Sequence, residues 1–257
     1  MPELKIKSAD TTLHAVDSAG GEPALLFVNG QFATLSTWSP VLRLLNGKYR
    51  AVCFDGRARG KSGKSSDYSI AGAVDDIGHV IEAAGLTRPI LVGWSHGATI
   101  ALRYTSTHPD QVRGLVLLDG AYPIANFADA AGQERVRAQF RRLAPLIRFA
   151  ALLGKSARMS AAETAESHLD MDATNGTLGA DYAALPCPTD YVFATGGHSG
   201  TTDEEMQSLR ARVREQLTDV ENLTIFATVA VNHVGIVSKS PQTVVDAIED
   251  VVAHTSD

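Results

Sequence analysis

Runs of consecutive apolar residues alternate along this chain with stretches in which apolar residues fall three or four apart. Ala24-Leu25-Leu26-Phe27-Val28 is unbroken, as in a strand covered on both faces, and it stops at Asn29-Gly30. Residues 49–54 form the next such run and stop at Asp55. Over 70–84, Ile70, Val74, Ile77, Val80, Ile81 and Ala84 share one helical face, and Gly85 closes the segment. Pro89-Ile90-Leu91-Val92, a helical stretch over 98–104, and Gly114-Leu115-Val116-Leu117-Leu118 continue the order. Segments 4–7 and 12–16 read as an antiparallel pair opening the sheet, and 38–45 as a short helix. Such alternation predicts a mostly parallel sheet with helices on both faces.

The alternation lapses over 121–188, where only helical patterns appear. One helix is expected over 133–153, interrupted at Pro145, and another over 161–172; Gly176, Gly179, Pro186 and Pro188 mark loops. The sheet resumes at 191–194, followed by a charged amphipathic helix over 203–217, a last strand over 223–231 and a last helix over 241–253 opening on Pro241. Residues 1–120 and 189–257 are therefore expected to form a core, and 121–188 a helical cap inserted between two strands.

A chain of 257 residues with 44% hydrophobic content can bury one large core, and a net charge of −6 argues against a nucleic-acid partner. Cys53 lies inside an apolar run and reads as a core residue; with Cys187 it forms no metal-ligand or disulfide spacing. The mixed, charged start Met1-Pro2-Glu3-Leu4-Lys5 has no apolar signal region, and no apolar stretch reaches the roughly 18 residues of a membrane span. The expectation is a cytoplasmic protein with a small-molecule substrate, no membrane partner, no cofactor and no metal.

The candidate chemistry centres on Gly93-Trp94-Ser95-His96-Gly97, which sits between an apolar strand run and a helical stretch. In that setting Gly-x-Ser-x-Gly reads as a strained turn that holds the serine hydroxyl at the sheet edge, with the following helix N-terminus favouring negative charge there. A serine needs a base within hydrogen-bond reach, and the base an orienting acid. His233, in Asn232-His233-Val234-Gly235 after the last strand, is the base candidate; the other histidines are worse placed. A tetrahedral intermediate needs two donors, which we assign to the backbone N–H groups of His96 and Gln31, with Phe32 as the neighbouring alternative to Gln31.

Together these features resemble the α/β-hydrolase fold family over nearly the whole chain. Asn29-Gly30 stands where that family usually has His-Gly, and Asp55-Gly56-Arg57-Ala58-Arg59-Gly60-Lys61-Ser62 is similar to its Asp-x-Arg-Gly-x-Gly-x-Ser loop, with Ala58 for a glycine. The resemblance implies an eight-stranded sheet, a helical cap and a serine nucleophile. It also implies where an acid belongs. The usual place after the strand following the cap reads Ala194-Thr195-Gly196-Gly197-His198, without a carboxylate. Asp119, 24 residues after Ser95, matches a family variant with the acid one strand earlier, and Asp203 is the alternative. His198, Phe32 and Trp94 are candidates for substrate contact.

Ser95 in place of the aspartate that epoxide hydrolases and dehalogenases of this fold use points to acyl transfer. The function expected is hydrolysis of a carboxylic ester or lactone of a small, partly apolar molecule. The alternatives are carbon–carbon bond hydrolysis of a vinylogous diketone, or a catalytically weak homologue that binds a ligand.

Overall fold

The computed structural model describes residues 2–152, 157–197 and 202–255. The chain opens with strands β1 (Glu3–Ser8) and β2 (Thr11–Ser18), which pair antiparallel, and then β3 (Gly21–Val28). A 3-10 turn over Leu35–Trp38 leads into α1 (Ser39–Leu45), followed by β4 (Tyr49–Asp55), α2 (Ile70–Ala84), β5 (Ile90–Trp94), α3 (His96–Thr107) and β6 (Gly114–Leu118). Helices α4 (Ala130–Leu152), α5 (Ala161–Asn175) and α6 (Leu178–Ala183) come next, then β7 (Thr189–Ala194), α7 (Asp203–Leu217), β8 (Leu223–Val229), α8 (Gly235–Lys239) and α9 (Pro241–His254).

The strands form one eight-stranded sheet in the order β1-β2-β4-β3-β5-β6-β7-β8. From β4 to β8 every pairing is parallel, and β2 joins β4 antiparallel. Because β3 to β7 are covered on both faces, their side chains feed two cores. Leu26, Leu91, Leu115 and Leu117 meet Ile77, Val80, Ala101 and Leu102 of α2 and α3 on one side. Phe27, Val92, Val116 and Val192 meet Val41, Ile236, Val244 and Ile248 of α1, α8 and α9 on the other. Alternate residues of each strand thus enter opposite cores, which is why the central strands read as continuous apolar runs.

Two details depart from the sequence expectation. Pro145 does not interrupt α4: the helix runs through it. Proline removes the N–H that would bond the carbonyl of residue 141, but both positions are exposed, so water can take that carbonyl. Two short helices also occupy stretches expected as loops: α6, despite Gly179, and α8, which begins at Gly235 directly after His233. Cys53 and Cys187 are buried free thiols, and burial pushes both upward, Cys187 to about 12. No helix among the described residues is long and apolar enough to cross a membrane, and no group of three or more His, Cys, Asp or Glu side chains among them could hold a metal ion.

Candidate active site

Parallel strands end at one edge of the sheet, and the candidate residues collect there because each follows a strand. Ser95 follows β5, Asp119 follows β6, His233 follows β8, and Gln31 follows β3. Ser95 adopts φ 55°, ψ −119°, a conformation disfavoured for a residue with a Cβ. Two features hold it there. Its N–H donates to Leu118 O at 2.9 Å. Gly97 lets α3 approach β3 so closely that a Cβ there would lie 2.1 Å from Val28 O.

His233 Nε2 lies 2.8 Å from Ser95 Oγ, and His233 Nδ1 lies 2.8 Å from Asp119 Oδ2. With the Nδ1 hydrogen directed to the carboxylate, Nε2 is left to accept from the serine hydroxyl. Of the two acid candidates the structure brings Asp119 to the histidine. Asp203 is exposed, as the first residue of α7 beyond the Thr202 cap. His198 lies outside the described residues.

Asp119 is 1% exposed and densely bonded. Arg210 grips it with Nε to Oδ1 at 2.9 Å and Nη2 to Oδ2 at 2.7 Å. Tyr122 Oη and the Ala194 N–H donate to Oδ1 at 2.7 and 3.1 Å. Burial alone would raise this carboxyl, but hydrogen bonds from His233 and Arg210, and their charges, hold it at about 2. Arg210 also donates through Nη1 to Gly196 O at 2.8 Å, tying the turn after β7 to the acid.

The sequence reading missed Arg210 and Tyr122. A signal for Arg210 does exist. Met206, Arg210, Val213 and Leu217 are the buried stripe of α7, so an arginine stands where the period calls for an apolar residue. Tyr122 carried no comparable mark.

The turn after β3 lies against the nucleophile, since a Cβ on Gly30 would sit 3.5 Å from that of Ser95. Gln31 is buried, and its carbonyl accepts from Arg59 Nε. The N–H groups of Gln31 and His96 donate to no acceptor among the described residues, which leaves both available to an oxyanion. Phe32 is 40% exposed beside this turn. Trp94 is buried, with its ring 5.7 Å from that of His233.

This arrangement suits attack by a hydroxyl on a carbonyl. A provisionally named carbamate hydrolase RutD from Enterobacter cloacae subsp. cloacae is 30% identical over 102 residues, which are 39% of this chain and 38% of that one. The match thus spans well under half of the curated relative's length. A thermophilic esterase from Thermogutta terrifontis, solved with malate bound, superposes with a TM-score of 0.75 at 19% identity, covering 100% of both chains. The enol-lactonase of Burkholderia xenovorans LB400 gives a TM-score of 0.75 at 15% identity, over 98% of this chain and 100% of that one. The family model described as alpha/beta hydrolase fold matches residues 23–201. With its strand order, its serine elbow and that match, this chain belongs to the alpha/beta hydrolase fold family.

Proposed function

We propose that the protein is a serine hydrolase that cleaves a carboxylic ester or lactone of a small, partly apolar molecule through an acyl-enzyme. The observation that carries this reading is the continuous relay Ser95 Oγ–His233 Nε2 and His233 Nδ1–Asp119 Oδ2, both links 2.8 Å. In this mechanism Ser95 attacks the carbonyl while His233 takes its proton, and the N–H groups of Gln31 and His96 stabilise the oxyanion. The imidazolium, steadied by Asp119, then protonates the leaving alkoxide. A water activated by the same imidazole releases the acid and restores the serine.

In the same reading the insert 121–188 is a cap. Its helix α5 packs on α2 and α3, and α4 packs on α5. Phe32 would contact the substrate at the rim. The test is covalent: a fluorophosphonate should label Ser95, and the label should vanish in Ser95→Ala. Short p-nitrophenyl esters should be turned over by the parent protein. Absence of both labelling and turnover in folded protein would leave a ligand-binding homologue as the remaining reading. A panel of lactones and vinylogous diketones separates ester from carbon–carbon cleavage.

A further inference from the structure

Three arginines are buried among the described residues, and two are matched by acids. Arg57 holds Asp76 through Nε at 2.9 Å and Nη2 at 3.0 Å, and Arg210 holds Asp119. Arg59 differs. It is 8% exposed, and no carboxylate of the described residues lies within 4 Å of its guanidinium. Its bonds go to backbone carbonyls, Nε to Gln31 O and Nη1 to Arg57 O at 3.1 Å, while Nη2 has no acceptor among the described residues. Burying a cation without a counter-charge is expensive, and burial pulls Arg59 down to about 10.

Arg59 lines a cavity of about 30 Å³ together with His96, Tyr68, Ser167 and Ile100. That is room for one or two waters or one carboxylate, but not for a ring. The acid that also lines it, Asp76, has both oxygens engaged by Arg57, which bonds Asp67 as well at 3.0 Å. Asp55 acts on Arg59 from farther off, with its oxygens engaged by the N–H groups of Leu35 and Lys61. The charge of Arg59 is thus balanced only at a distance, and no carboxylate of the described residues touches its guanidinium. His96 Nε2 is buried without a partner among the described residues, and with its hydrogen there it is a further donor. Burial, then the charges of Arg59 and His168, hold this ring at about 3, so it is neutral at pH 7 and the guanidinium alone supplies the charge.

The ring of His96, the residue after Ser95, is part of the cavity wall, and Arg59 in the same wall holds the Gln31 carbonyl. We propose that this cavity is an anion subsite that receives a carboxylate of the substrate, so that the protein acts on small esters or lactones carrying a free carboxylate near the scissile carbonyl. A planar anion satisfies the arginine fork better than any neutral group of that size. The inference rests on the Ser95 acyl-transfer reading for its catalytic part and on Arg59 alone for its binding part.

Two measurements test it. The first compares kcat/KM for mono-p-nitrophenyl glutarate and p-nitrophenyl pentanoate, which differ by the terminal carboxylate. The parent should prefer the glutarate at least tenfold. Arg59→Met should lower that ratio at least tenfold, and Arg59→Lys should restore part of it. Loss of the Gln31 anchor lowers both substrates together, so the ratio isolates the charge; a ratio unchanged within twofold in Arg59→Met overturns the subsite. The second is calorimetric titration of Ser95→Ala with glutarate and, separately, with butyramide. Glutarate should bind and butyramide should not, and equal or absent binding of the two refutes the proposal even if Arg59→Met does not fold. Failure of the acyl-transfer reading looks different, because pentanoate ester is then not hydrolysed although glutarate still binds.

Discussion

Replacing Asp119 with asparagine should disable the base by turning the imidazole round. The wild-type carboxylate accepts five hydrogen bonds: Oδ2 from His233 Nδ1 and Arg210 Nη2, and Oδ1 from Arg210 Nε, Tyr122 Oη and the Ala194 N–H. An asparagine offers one oxygen and one NH2. If the NH2 takes the Oδ1 side it faces two donors that cannot change, Arg210 Nε–H and a backbone N–H. If it takes the Oδ2 side it faces one, Arg210 Nη2–H, because His233 can shed its Nδ1 hydrogen and accept instead. The second orientation is therefore favoured. It leaves the hydrogen on His233 Nε2, which then points a donor at Ser95 and cannot remove its proton. The expected loss in kcat is about 10⁴-fold, or about 5.5 kcal/mol at 1.36 kcal/mol per factor of ten. Arg210 also loses its counter-charge, but keeps Gly196 O, so a stability loss of about 3 kcal/mol should accompany it. Turnover of p-nitrophenyl butanoate at saturation, on protein shown folded by circular dichroism, measures the first effect and urea unfolding the second. A folded Asp119→Asn enzyme within tenfold of the parent would refute the tautomer argument.

Three further outcomes are expected. Asp119 sits at about 2, below its ordinary value of 3.8, so its contribution to stability is complete above about pH 4 and is lost as pH falls through 2. It amounts to about 2.5 kcal/mol, and the gap in unfolding free energy between parent and Asp119→Asn, from urea titrations, should shrink by about 2 kcal/mol from pH 5 to pH 2; a constant gap argues against the depressed carboxyl. Asp190 behaves oppositely. Burial, then the charge of Asp250, raises it to about 7, and its Oδ2 is buried without a partner. Folded protein therefore holds this proton longer than unfolded chain, and stability drains away as pH rises from about 4 to 7. Asp190→Asn should stabilise the fold by about 2 kcal/mol at pH 8 and little at pH 4, read from paired melting curves. Gly120→Ala would put a Cβ 2.2 Å from the Ser95 carbonyl oxygen, which is backbone on both sides and cannot move away cheaply. A loss of about 3 kcal/mol and a clear drop in turnover should follow, and a melting temperature equal to the parent's would contradict the close approach.

The central strands were legible because burial on both faces leaves an unmistakable apolar run, as in 24–28, 90–92 and 114–118. The strand–turn–helix around Ser95 was legible because its glycines answer to backbone contact, not to a side chain. Asp119 stood out by its place at a strand end, and the geometry puts it at His233 where Asp203 is not. Other features left no such trace. Arg210 meets Asp119 across 91 residues, and its helix carries two further arginines, Arg212 exposed and Arg214 half-buried over Phe193, so only its position in the apolar stripe distinguishes it. Helices α6 and α8 are too short for a period to show, and contact with the core, not propensity, makes them helical. The unmatched charge of Arg59 is a property of what does not surround it, which no local pattern records.

Because β5 and β6 are neighbours, and the Ser95 N–H is bonded to the carbonyl just before Asp119, the proposed nucleophile and acid stand on a single stiff plank. The bend leaving β7 through Thr195 and Gly196 carries no carboxylate among the described residues, but it takes the Arg210 brace and donates its own N–H groups to Val231 O, two residues before His233. Lengthening that bend should therefore shift His233 and lower turnover although no acid is lost, whereas in a relative that keeps its acid on β7 the same edit would disturb the acid as well.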